Sequence, residues 1–316
     1  MNDHHVIVGI FLLAGTVLSL AWRYVRRPRR LLSFQGWLGV GIILAAETLL
    51  FLKAGWLISV YFTPIVWTGY ILLADALVSS LKGDLRLRSP GEFLALAFWS
   101  IPLWLIFEAY NLRLVNWAYM GRPLSPALKD FGCAWAFATI WPAIYETADL
   151  LAALGLFQSR SQPRTAFGPG IRRMIALGGL VLVAIPILLP VRLGSYLFGA
   201  VWVGFVLFLD PVNYAWHGES LLRDFEAGDN SRLFCFLAAG WICGILWEFW
   251  NYWAGARWLY IFPMAQHWEI FEMPAPGFTG FPPFAVECFV MFETLKTVKR
   301  QWTAARTQPK LIQTEA

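Results

Sequence analysis

Runs of apolar residues long enough to cross a bilayer constrain this chain more than any other feature. Nine runs of about 17–25 residues, the length a bilayer requires, lie at roughly 6–24, 36–56, 59–80, 93–112, 132–157, 173–190, 194–214, 233–252 and 280–299. The expected fold is all-α, a polytopic membrane protein of about nine transmembrane helices. Composition points the same way. Charged residues make up 14% of the chain, against about 25% in an ordinary soluble domain. That scarcity, with 58% hydrophobic residues, excludes a disordered chain, a disulfide scaffold and a plain soluble globule.

The net charge of +5 describes topology rather than a polyanionic partner. Placing the N-terminus outside puts 19 of the 25 Lys and Arg in inner segments. These are the five Arg of 23–30, then Lys82, Arg86 and Arg88, then Arg160, Arg164, Arg172 and Arg173, then Arg223 and Arg232, and last Lys296, Lys299, Arg300, Arg306 and Lys310. Six remain outside: Lys53, Arg113, Arg122, Lys129, Arg192 and Arg257. This asymmetry predicts an outer N-terminus and a cytoplasmic C-terminus, in a bacterial inner membrane. The basic runs suit lipid headgroups, and no nucleic-acid partner is expected. The first run lacks a basic leader and a small-residue cleavage site, so it reads as a retained span. Cys133, Cys235, Cys243 and Cys288 lack C-x-x-C spacing and read as packed hydrophobes. The four histidines are scattered, and His267 with Glu269 and Glu272 is loosely spaced for a metal, so no metal or cofactor is expected.

The chain also repeats itself. W-T-G-Y-I-L-L-A-D (67–75) matches W-V-G-F-V-L-F-L-D (202–210), and F-E-A-Y-N (107–111) matches W-E-F-W-N (247–251). W-A-Y (117–119) matches W-L-Y (258–260), and W-P-A-I-Y-E (141–146) matches P-P-F-A-V-E (282–287). The offsets run from 135 to 141. The expected organisation is a first helix with a basic segment (1–30), two tandem four-helix repeats (36–157 and 173–300) and a cytoplasmic tail (301–316). An even number of helices per repeat keeps both halves in one orientation.

The repeated residues are acids, amides and aromatics. A membrane-embedded carboxylate costs several kcal/mol unless it is paired or faces a cavity. Glu108, Glu146, Glu248 and Glu287 are therefore the catalytic candidates, expected to converge near the outer leaflet and to raise one another's pKa. Asn111, Trp117, Tyr119, Asn251, Trp258 and Tyr260 are candidates for substrate binding. Pro142 and Pro283 are placed as helix-opening prolines ahead of Glu146 and Glu287. Glu47 stands mid-span without a repeat counterpart and joins the substrate-binding set as an unpaired acid. Trp135, Trp141, Trp247, Trp250 and Trp253 surround this site in sequence. The same residues fit a second account, a polar clamp that ties each outer loop to its helix, with Trp and Tyr as the interfacial belt. Asp75 and Asp210 read as interface anchors or partners of Arg. Gly240–Gly244 is a G-x-x-x-G pattern, a helix-packing signal. The Met273–Pro283 stretch, rich in Pro and Gly, reads as a re-entrant segment.

The acid beside Trp, the Trp-x-Tyr pair and the Pro–Glu spacing resemble lycopene-cyclase-domain proteins, which are small polytopic membrane proteins also built of tandem units. The positions are Glu108, Trp117, Tyr119, Pro142 and Glu146, then Glu248, Trp258, Tyr260, Pro283 and Glu287. That family carries adjacent acids two and three places after its proline; this chain carries one, four places after. The resemblance implies protonation of a terminal double bond of a long isoprenoid and ring closure without redox change. Three functions are expected from these residues. The first is an intramembrane enzyme acting by acid–base chemistry, of cyclisation or hydration type, on an isoprenoid or other lipid. The second is a transporter or lipid flippase, and the third a structural or accessory membrane protein.

Overall fold

A computed structural model describes residues 4–83, 89–158, 163–261 and 263–307. Arg86, Arg88, Arg160 and Lys310, counted above for topology, lie outside the described residues, as does most of the 301–316 tail. Among the described residues nine helices are long: α1 (His4–Val25), α2 (Phe34–Phe51), α3 (Trp56–Lys82), α4 (Pro90–Leu114), α5 (Pro126–Ala153), α6 (Pro169–Leu188), α8 (Phe198–Ala215), α10 (Ser231–Trp253) and α11 (Phe281–Thr307). α7 (Val191–Gly194) and α9 (Leu221–Glu226) are short. There are four short strands, β1 (Trp117–Met120), β2 (Arg257–Tyr260), β3 (Glu269–Ile270) and β4 (Met273–Pro274), and two 3-10 helices at Ser195–Leu197 and Ala275–Gly280. The fold is thus helical with two small antiparallel ladders that the hydropathy pattern does not reveal.

Seven helical stretches are long and apolar enough to cross a membrane: α1 to α4, α6, the stretch Val191–Ala215 and α10. α5 and α11 fall outside that set, and their location explains why. Residues 139–148 of α5 and 284–291 of α11 are buried without interruption, and Trp141 Nε1 donates to the Cys288 carbonyl at 2.9 Å. These two are the central helices, so they can carry acids that a lipid-facing helix cannot.

Local signals set the helix ends. Ser89 Oγ accepts from the Glu92 N–H at 3.2 Å and the Glu92 carboxylate accepts from the Ser89 N–H at 3.0 Å, a capping box with Pro90 at the first helical position. Gly83, at φ +80°, closes α3 in the left-handed conformation. Pro283 lies in the first turn of α11, but Pro142 sits well inside α5, which opens earlier at Ser125–Pro126. The helix-opening role expected of Pro142 is therefore corrected. An internal proline is tolerated where neighbouring helices and hydroxyls re-satisfy the freed backbone. α3 also carries an internal proline, Pro64, and Thr68 Oγ1 donates to its carbonyl at 2.7 Å.

Packing follows the small residues. α2 packs on α3 and α6 on α8; α3 packs on α5 and α8 on α11; α4 packs on α5 and α10 on α11. A Cβ at Gly39 would meet the backbone of Gly69, and one at Gly179 the backbone of Gly204. Close backbone approach of this kind is what glycine permits between membrane helices. At Gly240 a Cβ would run into the Phe281 backbone, and at Gly244 into the Phe281 ring. The G-x-x-x-G is thus the seat of α11. The turn at Ala275–Gly280 folds back beside the middle of α10, where Phe278 packs with Ile245 and Met273.

At the opposite end of the bundle the acids are paired locally. Asp210 accepts from Ser220 Oγ at 3.0 Å and from the N–H groups of Leu221 and Leu222 at 2.8 and 3.0 Å, at the start of α9. Asp75 accepts from Gln35 at 2.6 Å. Glu293, 2% exposed, meets Lys296 at 2.6 Å and Arg300 at 3.3 Å. Arg232 bridges Glu219 at 3.0 Å and Asp224 at 3.2 Å.

Two outcomes follow. Gly240→Val should destabilise the detergent-solubilised protein by about 1–3 kcal/mol, since overpacking must push α11 aside. Gly41→Ala, where a Cβ meets open space, should leave the melting temperature unchanged or raise it. Burial pushes the Asp224 carboxyl up to about 6, with Arg232 acting against it. The folded chain then holds a proton that the unfolded chain, with Asp near about 3.9, has already released. Stability from this site is present at low pH and is lost as pH rises through about 6. Thermal melts from about pH 4 to 7 should show the wild type losing stability relative to Asp224→Asn; a constant difference would contradict the assignment.

Candidate functional site

The Trp-x-Tyr spacing puts both aromatic side chains of each strand on one face, because successive residues of a strand alternate. β1 and β2 pair antiparallel with Trp117 opposite Tyr260, Ala118 opposite Leu259, Tyr119 opposite Trp258 and Met120 opposite Arg257. Trp117, Tyr119, Trp258 and Tyr260 all line a cavity of about 550 Å³. α3, α4, α5, α8 and α10, the turn before α11 and the start of α11 form most of the rest of its wall. Trp67, Trp104, Trp202 and Trp247 add four more indoles to the lining. Phe284 stands among them, 5.8 Å from Trp104 and 6.2 Å from Trp247 between ring centroids.

Each strand is held to its helix by the same pair of residues. Asn111 Nδ2 donates to the Trp117 carbonyl at 2.9 Å, and its Oδ1 accepts from the N–H groups of Asn116 and Trp117 at 2.8 and 3.1 Å. Asn251 Nδ2 donates to the Trp258 carbonyl at 2.9 Å and its Oδ1 accepts from the Trp258 N–H at 3.0 Å. The carboxylates hold the phenols. Tyr119 Oη donates to Glu108 Oε1 at 2.6 Å, and Trp104 Nε1 donates to the same oxygen at 2.9 Å. Tyr260 Oη donates to Glu248 Oε1 at 2.7 Å and accepts from Trp258 Nε1 at 2.8 Å. Burial first, then the charge of the adjacent glutamate, push both phenols well above their ordinary range, so both stay protonated.

The four glutamates expected to converge do not share one contact. Glu108 and Glu248 stand behind the two tyrosines; Glu146 and Glu287 are buried in the central helices, and none of the four lines the cavity. Glu146 and Glu287 each follow a lining residue, Ala143 and Phe284, by three positions, about one helical turn. Both carboxyl oxygens of Glu287 are buried without a hydrogen-bond partner among the described residues. Tyr70, near Glu146, hydrogen-bonds Thr147 at 2.7 Å. The amides of Asn111 and Asn251 are spent on backbone, which places them in the clamp and not in the cavity wall. Glu47, expected to be unpaired, accepts from Trp250 Nε1 at 3.0 Å. That indole lies 5.0 Å from Trp67. Of the five tryptophans that surround the site in sequence, Trp247 lines the cavity and the other four do not.

The lining also holds residues that sequence reasoning passed over. Trp104 was legible, four residues before Glu108 and so on the same helix face. Phe284 and Trp202 were not, since only tertiary packing brings them to the site. Arg122, Lys129 and Arg257 were counted as loop charges, yet all three are in the lining. The chain matches no protein-family model, no curated protein and no solved structure.

Asn251→Ala should leave the Trp258 N–H and carbonyl without their partner in a buried site. The expected cost is about 1–3 kcal/mol for each group left unsatisfied, read as a lower melting temperature. Asn251→Ala with unchanged stability would refute the clamp.

Proposed function

We propose that this protein is an intramembrane enzyme that performs acid–base chemistry, of cyclisation or hydration type, on an isoprenoid or other lipid held in the aromatic cavity. One observation carries this reading: two cavity-lining phenols, each backed by a buried-side glutamate at 2.6–2.7 Å. With the glutamate protonated and this hydrogen bond reversed, such a pair can relay a proton: the glutamate gives one to the phenol oxygen as the phenol releases its own to the substrate, which leaves the glutamate ionised. Protonation of an alkene calls for an acid in a dry pocket. The carbocation that results is stabilised by the faces of indole rings, which bring no nucleophilic water. Glu146 and Glu287, one turn beyond the lining, are the second pair of acids in this scheme. The resemblance to lycopene-cyclase-domain proteins rests on these same residues and points to the same chemistry.

The proposal includes the architecture. All nine long helices cross the membrane, one followed by two tandem four-helix repeats, with the N-terminus outside and the C-terminus cytoplasmic, in a bacterial inner membrane. Three observations support the duplication. The helix pairings recur in order. The Gly39–Gly69 and Gly179–Gly204 crossings stand at offsets of 140 and 135, within the span of the sequence matches. The β1–β2 register sets Trp117 against Tyr260 and Tyr119 against Trp258, the exchange that a two-fold axis between the strands produces. An axis of that kind along the membrane normal relates parallel repeats. The cavity's place at this junction also suits a transporter or flippase, which would move a lipid without altering it.

Lipid extracts of cells with and without the gene, compared by mass spectrometry, separate the two. The enzyme predicts a lipid converted to a product of equal mass or one differing by a water. Tyr260→Phe and Glu248→Gln should each lower that conversion by about a hundredfold or more while the protein still folds. Full conversion in both Tyr119→Phe and Tyr260→Phe would overturn the proposal, and redistribution of an unaltered lipid would favour transport.

A further inference from the structure

Of the six cations that the sequence assigns to outer loops, three line the cavity: Arg122, Lys129 and Arg257. Among the described residues the lining contains no carboxylate. Arg122 lies with its guanidinium 4.7 Å from the Tyr119 ring centroid and has no ion-pair partner among the described residues. Lys129 meets Asp130 at 3.8 Å, with Asp130 74% exposed, an ion pair that solvent screens. Arg257 meets Glu272 at 3.0 Å. The remaining lining is dominated by indoles and phenyl rings. A cavity of about 550 Å³ is within the size range of ligand sites, roughly 300–1,000 Å³.

A pure hydrocarbon would leave Arg122, the lining cation with no ion-pair partner among the described residues, without a counter-charge. The backbone explains why the cations gather there. Arg257 opens β2 opposite Met120, Arg122 follows β1 by two residues, and Lys129 stands in the first turn of α5. The ladder therefore carries two of the cations to the same end of the cavity. We infer that the cavity takes a phosphate-bearing amphiphile, with its apolar chain among the tryptophans and its phosphate on Arg122, Lys129 and Arg257. Guanidinium groups present a planar fork that matches phosphate oxygens, and the lysine adds a point charge. This inference rests on the reading of the cavity as a lipid site and narrows the class of lipid.

Native mass spectrometry of the full chain in non-ionic detergent tests it with three probes: dioleoyl phosphatidic acid, dioleoylglycerol and inorganic phosphate. Phosphatidic acid should bind at least about tenfold more tightly than dioleoylglycerol, and Arg122→Gln with Lys129→Gln should remove most of that preference. Lys53→Gln with Arg192→Gln removes as much charge away from the cavity and should preserve it. Equal binding of the two lipids, or a preference unchanged in Arg122→Gln/Lys129→Gln, would overturn the inference. Competition by inorganic phosphate as effective as that by the lipid would also overturn it, in favour of a free-anion site. Lipid binding and lipid conversion are separate readouts, so loss of the phosphatidic acid preference leaves the acid–base proposal standing, and loss of conversion leaves the preference standing.

Discussion

The four-residue ladder between β1 and β2 is the contact on which the site depends. Two strands of four residues have almost no stability by themselves. Here each is tied to the end of its helix by an asparagine that satisfies backbone N–H and carbonyl groups. Buried backbone groups need such partners. With the backbone settled, the alternation of strand side chains turns Trp117, Tyr119, Trp258 and Tyr260 toward one cavity, and Ala118 and Met120 away into exposed positions. The pairing also joins the segment between α4 and α5 to the segment after α10, so the cavity belongs to both halves of the chain.

Acids in this protein have separate tasks, and their surroundings define them. Asp210 caps the start of α9, Glu293 gathers Lys296 and Arg300, and Glu47 holds the Trp250 indole. Glu108 and Glu248 position phenols in the cavity wall. Glu146 and Glu287 lie in the unbroken buried stretches of α5 and α11, where burial would be hard to explain by packing, since an apolar residue would serve better there. The costs of a buried acid make these last two the ones that ask for a functional account.

Much of this was legible in one dimension. The nine apolar runs coincide with the nine long helices, because a segment of that length and composition has few other places to put its backbone. Glu-x-x-Asn and Trp-x-Tyr could be recognised as units, since residues three apart on a helix and two apart on a strand share a face. What sequence could not settle was which of two accounts applied to each member. The amides are committed to the backbone clamp, while the tyrosines serve both clamp and cavity. Pro142 looked like a helix start because its counterpart Pro283 is one, yet a stronger start at Ser125–Pro126 lies sixteen residues earlier.

The sequence by itself determined the helical class and the positions of the long helices. Those follow from local chemistry: hydropathy over a bilayer's thickness, side-chain periodicity, and the cost of embedding polar groups. Tertiary structure alone decided that Glu108 and Glu248 hold the two tyrosines, that Glu47 has an indole partner, and that three cations line one aromatic cavity. Those depend on contacts between residues up to about two hundred positions apart, such as Trp250 and Glu47. No local pattern encodes which helix face meets which, so that information appears only when the helices pack.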